Sequence, residues 1–457
     1  MLSKDIKFVK EDLLSYEELK KVITEKIAIN KAKIISSKLN KTLIIQGNEF
    51  YLYDRELKLY KKQTYKDKEQ CNNGVIYIVS LLIKESYENL EQVSKDNLET
   101  YKKGFEAIFQ NGSILKYFPQ LKVELTDKKN FDKQHINEIH FLNGYFDLKN
   151  GEFKEREEYC RITDCIHRNY KKPKKGSMEK VKELLSMIYP NKDDKNYLMM
   201  TIATALCGIA TMDQSILFLL GKGSSGKSTV MKMLKNSIGM YFVELKSDTF
   251  VMGNQKADKI LNTLLEKPHA RLIWVNELAD KKMDDSLFKS VCEGTAQNTR
   301  LFQDGVTEIQ MNALIMITAN TFPSIKIDSG VVRRIKSHTH MSEFVEENKI
   351  DKESNIYLKD KYLEEKMRDI EMSNAFVKYI ANYAKKYYKG IRYESTQNFK
   401  DTKECITSSN DIIQDYIDVN LIITEDEKDR IGRDEMIQNF KLTNPKSLIT
   451  CMQLIIV

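Results

Sequence analysis

Gly221, Lys222, Gly223, Ser224, Ser225, Gly226, Lys227, Ser228 and Thr229 carry the spacing Gly-x-x-x-x-Gly-Lys-Ser/Thr, and that spacing suits the holding of a polyphosphate. Glycines let successive backbone amides turn inward around an anion, and a helix beginning at the end of the loop adds its partial positive charge. Lys227 then reaches the β- and γ-phosphates of a nucleotide such as ATP, and the Ser228 hydroxyl ligates magnesium. Such a loop works only between a buried strand and a helix. Residues 215–220 are apolar and of strand length; residues 230–237 read as a helix stopped by Gly239.

A second group of polar residues sits at the ends of further apolar runs. Residues 271–277 form a strand pattern closing on Asn276 and Glu277, where an acid can orient a water and help hold magnesium. Asn276 can only hydrogen-bond. Residues 313–319 form a third buried strand, followed by Asn320, and Arg333 and Arg334 come thirteen residues later, just before the strand-like stretch 335–340. Between acid and asparagine, residues 299–309 read as a hairpin with Asp304 and Gly305 in its turn. Phe302 is placed to stack on a base and Arg300 to meet a phosphate, beside Gln303, Asp304 and Gly305 at the tip.

The order of these parts resembles the superfamily 3 helicases, and within them the poxvirus-type helicase-primase and phage/plasmid primase C-terminal family. Asn143-Gly144-Tyr145-Phe146-Asp147-Leu148 matches a motif typical of that family upstream of the ATP site, and the resemblance covers about residues 137–440. It implies an AAA+-like α/β domain with a parallel central sheet, an α+β region before it and a helical, winged-helix-like region after it. It also implies that Lys227 and Ser228 are the Walker A pair, Glu277 the Walker B acid and Asn320 the sensor. Arg333 or Arg334, with Arg334 slightly favoured, becomes the finger given to a neighbouring subunit. Asn276 departs from the family's paired acids, and the hairpin tip lacks the basic residue often found there.

The rest of the chain sets limits. With 457 residues, 41% hydrophobic and 30% charged, it is a folded multi-domain protein. No apolar run approaches the ~20 residues that span a bilayer, and the first residues are no signal peptide. Seven scattered cysteines suit a reducing compartment, so the expected place is inside a cell, in host cytoplasm or at viral replication sites. Cys160, Cys165 and His167 lie close together, but their spacing is unusual for zinc and a fourth ligand is missing. A net charge of +7 permits nucleic acid as a partner.

Residues 1–136 read as an α+β region with three short strands at 42–46, 50–53 and 57–60, whose alternating aromatics and lysines suit either a nucleic-acid face or the two sides of a small sheet. No paired-acid metal motif stands there, so no priming activity is expected. Residues 137–176 comprise a hairpin and a basic linker, 177–342 the ATPase domain, and 343–457 a helical region with a partial winged-helix-like module. The reading is an ATP- and magnesium-dependent DNA helicase of a virus, phage or plasmid. It would act as a homo-oligomeric ring, a hexamer, on single-stranded DNA beside a primase or polymerase. The alternatives are an ATPase that remodels or loads a replication complex, and a scaffold that keeps a nucleotide for structure.

Overall fold

The computed structural model describes residues 8–47, 49–63, 68–91, 111–127, 131–132, 135–250, 267–277, 283–293, 297–301, 305–309, 312–346, 350–421 and 431–443. Contacts divide the chain into two compact units, Met1–His135 with Glu155–Cys165, and Ile136–Lys154 with Ile166–Val457. Among the described residues no helix is long and apolar enough to cross a membrane.

The first unit opens with α1 (Tyr16–Thr24) and α2 (Ala28–Leu39). Ser15 fixes the start of α1: its hydroxyl accepts from the Glu18 amide while the Glu18 carboxylate accepts from the Ser15 amide, two otherwise orphaned donors satisfied together. An antiparallel meander of β1 (Leu43–Gln46), β2 (Glu49–Asp54) and β3 (Leu59–Gln63) follows, then α3 (Lys68–Glu91), α4 (Asn111–Leu115) and α5 (Phe118–Leu125). The aromatics of the meander are not a nucleic-acid face. Tyr51, Tyr53 and Tyr60 are buried, and Phe131 stacks on Tyr51 at 4.2 Å between ring centres.

The second unit begins with a three-stranded antiparallel sheet, β4 (Glu138–Phe141), β5 (Gly144–Asp147) and β6 (Glu152–Lys154). The stretch 140–148 is therefore two strands, turned at Leu142 and Asn143, and Asn143 fastens the turn by bonds to the amide and carbonyl of Tyr170. Gly144 is required there, because a Cβ would lie 2.3 Å from the Lys154 carbonyl oxygen. The basic run after it is only in part a loose connection. Arg168 reaches Asn374 and the Ser237 carbonyl and Tyr170 is buried, while Lys171, Lys172, Lys174 and Lys175 are exposed.

Helices α6 (Lys175–Ile188) and α7 (Lys192–Leu206) lead into β7 (Ile216–Leu220), α8 (Lys227–Ile238), β8 (Phe242–Leu245) and β9 (Leu272–Asn276). Then come α9 (Asp285–Glu293), the hairpin β10 (Gln297–Leu301) and β11 (Gly305–Ile309), β12 (Leu314–Thr318), α10 (Ser329–Arg334) and β13 (Ile335–Thr339). Five of these strands make one parallel sheet in the order β13-β7-β12-β9-β8. Both its faces are covered, which is why its strands read as unbroken apolar runs. Leu217, Leu219, Leu272, Trp274, Leu314 and Met316 enter one core cluster; Ile216, Phe218, Ile273, Val275, Ile315 and Ile317 enter another.

Beyond the sheet, β14 (Glu343–Val345) pairs in parallel with β15 (Ile356–Leu358), and α11 (Leu363–Arg368), α12 (Ile370–Tyr388), α13 (Gln397–Asn420) and α14 (Arg433–Thr443) follow. Within the region expected to be helical, 356–358 instead form the ladder to β14, and helix begins only at Leu363. Helix α12 packs against α6, α7 and α8.

Candidate functional site

The loop leaves β7 through backbone conformations that side chains resist. Gly221 has φ 135°, Ser224 57° and Gly226 88°. At Gly226 space is lacking too, since a Cβ would lie 2.9 Å from Ile188 Cγ1. Lys227 opens α8 and turns back into the loop, its Nζ donating to the carbonyls of Gly221 (2.5 Å) and Lys222 (2.8 Å) and to Ser225 Oγ (3.1 Å). A side chain 8% exposed is thus held among acceptor oxygens, whose place the oxygens of a polyphosphate would take. Burial pushes its pKa down, and the negative charge of Glu277 opposes the shift. Ser228 is exposed in the first turn of α8, where its hydroxyl is open to a cation; Lys222, Gly223 and Ser224 form the exposed crest.

Glu277 and Asn320 stand at the ends of β9 and β12, the same sheet edge from which the loop springs. Glu277 has φ 46°, its amide bonded to the Thr318 carbonyl at 2.9 Å, and its carboxylate is exposed. Asn276 is tied to the sheet: Trp274 Nε1 donates to Thr318 Oγ1 (2.9 Å), which donates to Asn276 Oδ1 (3.1 Å). The asparagine therefore serves the sheet. Asn320 meets the loop through its backbone, accepting from the Gly221 amide at 3.4 Å, with its side chain exposed.

The two arginines part company. Both lie in the last turn of α10, a short helix capped by Asp328, rather than in a segment entering a strand. Arg334, favoured from sequence, is buried: it pairs with Glu293 and donates to the Gly330 carbonyl at 2.7 Å. Arg333 is the one left free to reach outward, its side chain 60% exposed and 4.0 Å from Glu293. The hairpin is formed, with Leu301 opposite Gly305 and Arg300 opposite Val306. Phe302, Gln303 and Asp304 lie outside the described residues.

A wall of the site went unread in the sequence. After β13 the chain runs extended along the loop, with His340, Ser342 and Phe344 turned inward and Met341 and Glu343 outward. The His340 amide donates to the Leu220 carbonyl (2.8 Å), and the His340 carbonyl oxygen would lie 3.0 Å from a Cβ on Gly221. Ser342 donates to the Met187 carbonyl at 2.6 Å, and the Phe344 amide donates to the Ser224 carbonyl at 2.9 Å. His340-Met341-Ser342-Glu343-Phe344 shows no apolar alternation in the sequence, since the inward residues include a serine and the outward ones a methionine, so no local sign marked this wall.

Behind this wall, His340 Nε2 meets the Tyr189 hydroxyl at 3.2 Å and His338 Nε2 meets Asp194 at 3.3 Å. Thr396, at the position before α13, turns its hydroxyl away from the helix and donates to the same Asp194 carboxylate. Burial drives the pKa of His340 well below the ordinary histidine value, and His338 and Lys227 add repulsion, so the ring is neutral.

No family model matches the chain. It is 24% identical over 348 residues to a protein named as helicase L207/L206 of Acanthamoeba polyphaga mimivirus, covering 73% of this chain and 35% of that one. It is 26% identical over 281 residues to uncoating factor OPG117 of vaccinia virus (56% and 35%) and 25% identical over 272 residues to primase D5 of fowlpox virus (55% and 33%). The chain thus spans about a third of the length of these relatives. With its phosphate loop built between β7 and α8, and with helicase and primase relatives among viruses, the chain is related to the poxvirus-type helicase-primase family.

Proposed function

We propose that the chain is the ATP-hydrolysing part of a viral replicative helicase of superfamily 3, acting as a hexameric ring on single-stranded DNA beside a primase or polymerase inside the host cell. The observation that carries this is the joint position of the loop, Glu277 and Asn320 at one edge of a parallel sheet, with Lys227 already turned toward oxygens. An AAA+-like arrangement of the domain, and a winged-helix-like module starting at α14, belong to the same proposal.

In this reading the loop amides and Lys227 hold the β- and γ-phosphates, which loosens the bonds Lys227 makes to its own loop carbonyls. Ser228 and Glu277 hold magnesium, which neutralises phosphate charge when bound. Glu277 orients the attacking water, and Asn320 hydrogen-bonds near the γ-phosphate. Arg333 of one subunit supplies the finger to the next, because its guanidinium is the exposed one of the pair. The β10–β11 hairpin grips DNA through Arg300 and Phe302.

The test is ATPase turnover of the purified chain with and without single-stranded DNA. Stimulation supports the helicase; no turnover with nucleotide bound leaves a scaffold. Turnover indifferent to DNA supports the second reading, a remodelling or loading ATPase, which the name uncoating factor borne by the vaccinia relative favours.

A further inference from the structure

A basic and aromatic face gathers in the second unit away from the contacts of the phosphate loop. Between Glu371 and Glu394 the chain carries no Asp or Glu, yet it holds Lys378, Lys385, Lys386, Lys389 and Arg392 among Tyr387, Tyr388 and Tyr393. The end of α12 meets the β5–β6 turn: Lys378 Nζ donates to the Gly151 carbonyl at 2.7 Å, and the Lys385 stem lies where a Cβ on Gly151 would be 3.1 Å away. That turn brings Lys149, whose ammonium sits 5.6 Å from the centre of the Tyr388 ring. Lys172, from the exposed run before α6, is close enough to repel Lys378.

A helix C-terminus welcomes lysines, so Lys385, Lys386 and Lys389 have a local reason. Arg392 has one too, since its guanidinium donates to the Tyr387 carbonyl at 2.6 Å and lies over the Tyr387 ring, but Lys149 and Lys172 come from other segments. The acids nearby do not balance them: Asp147 is taken by Lys154 (2.6 Å) and Asn150, Glu371 accepts from the Lys174 amide at 2.6 Å, and Glu152 and Glu394 remain. Burial and the charge of Lys385 lower the pKa of Lys378, with Glu152 opposing. A fold that holds so many like charges together lowers that repulsion when a polyanion arrives. The rings between the cations suit an occupant with open bases: Tyr388 is 37% exposed.

We infer that Lys149, Lys172, Lys385, Lys389, Arg392 and Tyr388 form a second binding surface for single-stranded nucleic acid, separate from the hairpin and independent of ATP hydrolysis. Phosphates meet the cations and a base stacks on the tyrosine.

The experiment measures anisotropy of a labelled oligothymidylate on the full chain across a salt series. The variant Lys149→Gln/Lys172→Gln/Lys385→Gln/Lys389→Gln is compared with an equal charge change elsewhere, Lys180→Gln/Lys182→Gln/Lys352→Gln/Lys359→Gln. The first should weaken binding about 10- to 100-fold and flatten the salt slope by about 2–3, at roughly 0.7 per lost phosphate contact. The second should leave both nearly unchanged, and a fluorescent ATP analogue should bind both variants as it binds the parent. Equal losses in both variants, an unchanged affinity in the first, no binding by the parent chain, or a preference for duplex would each overturn the inference.

Discussion

The phosphate loop and the arginine turn were both marked by residue type, yet the structure treats them differently. In the loop, backbone shape and side-chain direction agree: Gly221 and Gly226 adopt positive φ, and Lys227 bends back over them. In α10 two adjacent arginines face opposite surroundings, Arg334 inward to Glu293 and Arg333 outward. A loop built from backbone carries its geometry in its glycines, whereas a side chain's direction along a helix depends on what packs around it.

The largest effects should come from the loop side. Lys227→Ala removes the main compensating charge on the phosphates, and turnover should fall to background with ATP binding lost. Glu277→Gln should also stop turnover while ATP stays bound. Wild-type turnover by Glu277→Gln would mean that another group positions the water.

On the arginine side, Arg333→Ala should cost about 10³-fold or more in turnover with ATP binding intact, as fingers of this kind do. Mixed with Lys227→Ala protein, it should regain activity, because some interfaces then pair an intact loop with an intact finger. Failure to recover in verified mixed assemblies would remove Arg333 from the role. Arg334→Ala should act differently, lowering stability by about 1–3 kcal/mol in denaturant unfolding, since it removes a buried side chain with its ion pair to Glu293 and its bond to the Gly330 carbonyl. If it unfolds like the parent and loses turnover alone, the assignment of the pair reverses.

The smallest effect concerns the wall beside the loop. Unfolded histidine takes up a proton near pH 6.5, while native His340, its pKa lowered by burial, does not. The unfolded state therefore binds more protons below that pH, and stability falls as pH drops, by at most about 1.4 kcal/mol per pH unit from this group. His340→Gln keeps a partner for Tyr189 and should flatten the acid limb of a stability–pH curve. An unchanged limb would place the sensitivity elsewhere.

The sequence by itself determined the phosphate loop, the strands that flank it and the polar residues at their ends, because glycine conformation, buried apolar runs and strand termini are local properties. It also indicated the pairing of β10 with β11. Only tertiary structure decided which arginine is buried, that Tyr51, Tyr53 and Tyr60 belong to a core, and that 356–358 pair as a strand. It alone brought His340 and Phe344 against the loop, and Ser342 against the end of α6, from more than a hundred residues away in the chain. Each of those outcomes depends on a partner distant in sequence, and the free energy of burying a side chain or completing a ladder is settled by that partner, not by the residue's own neighbours.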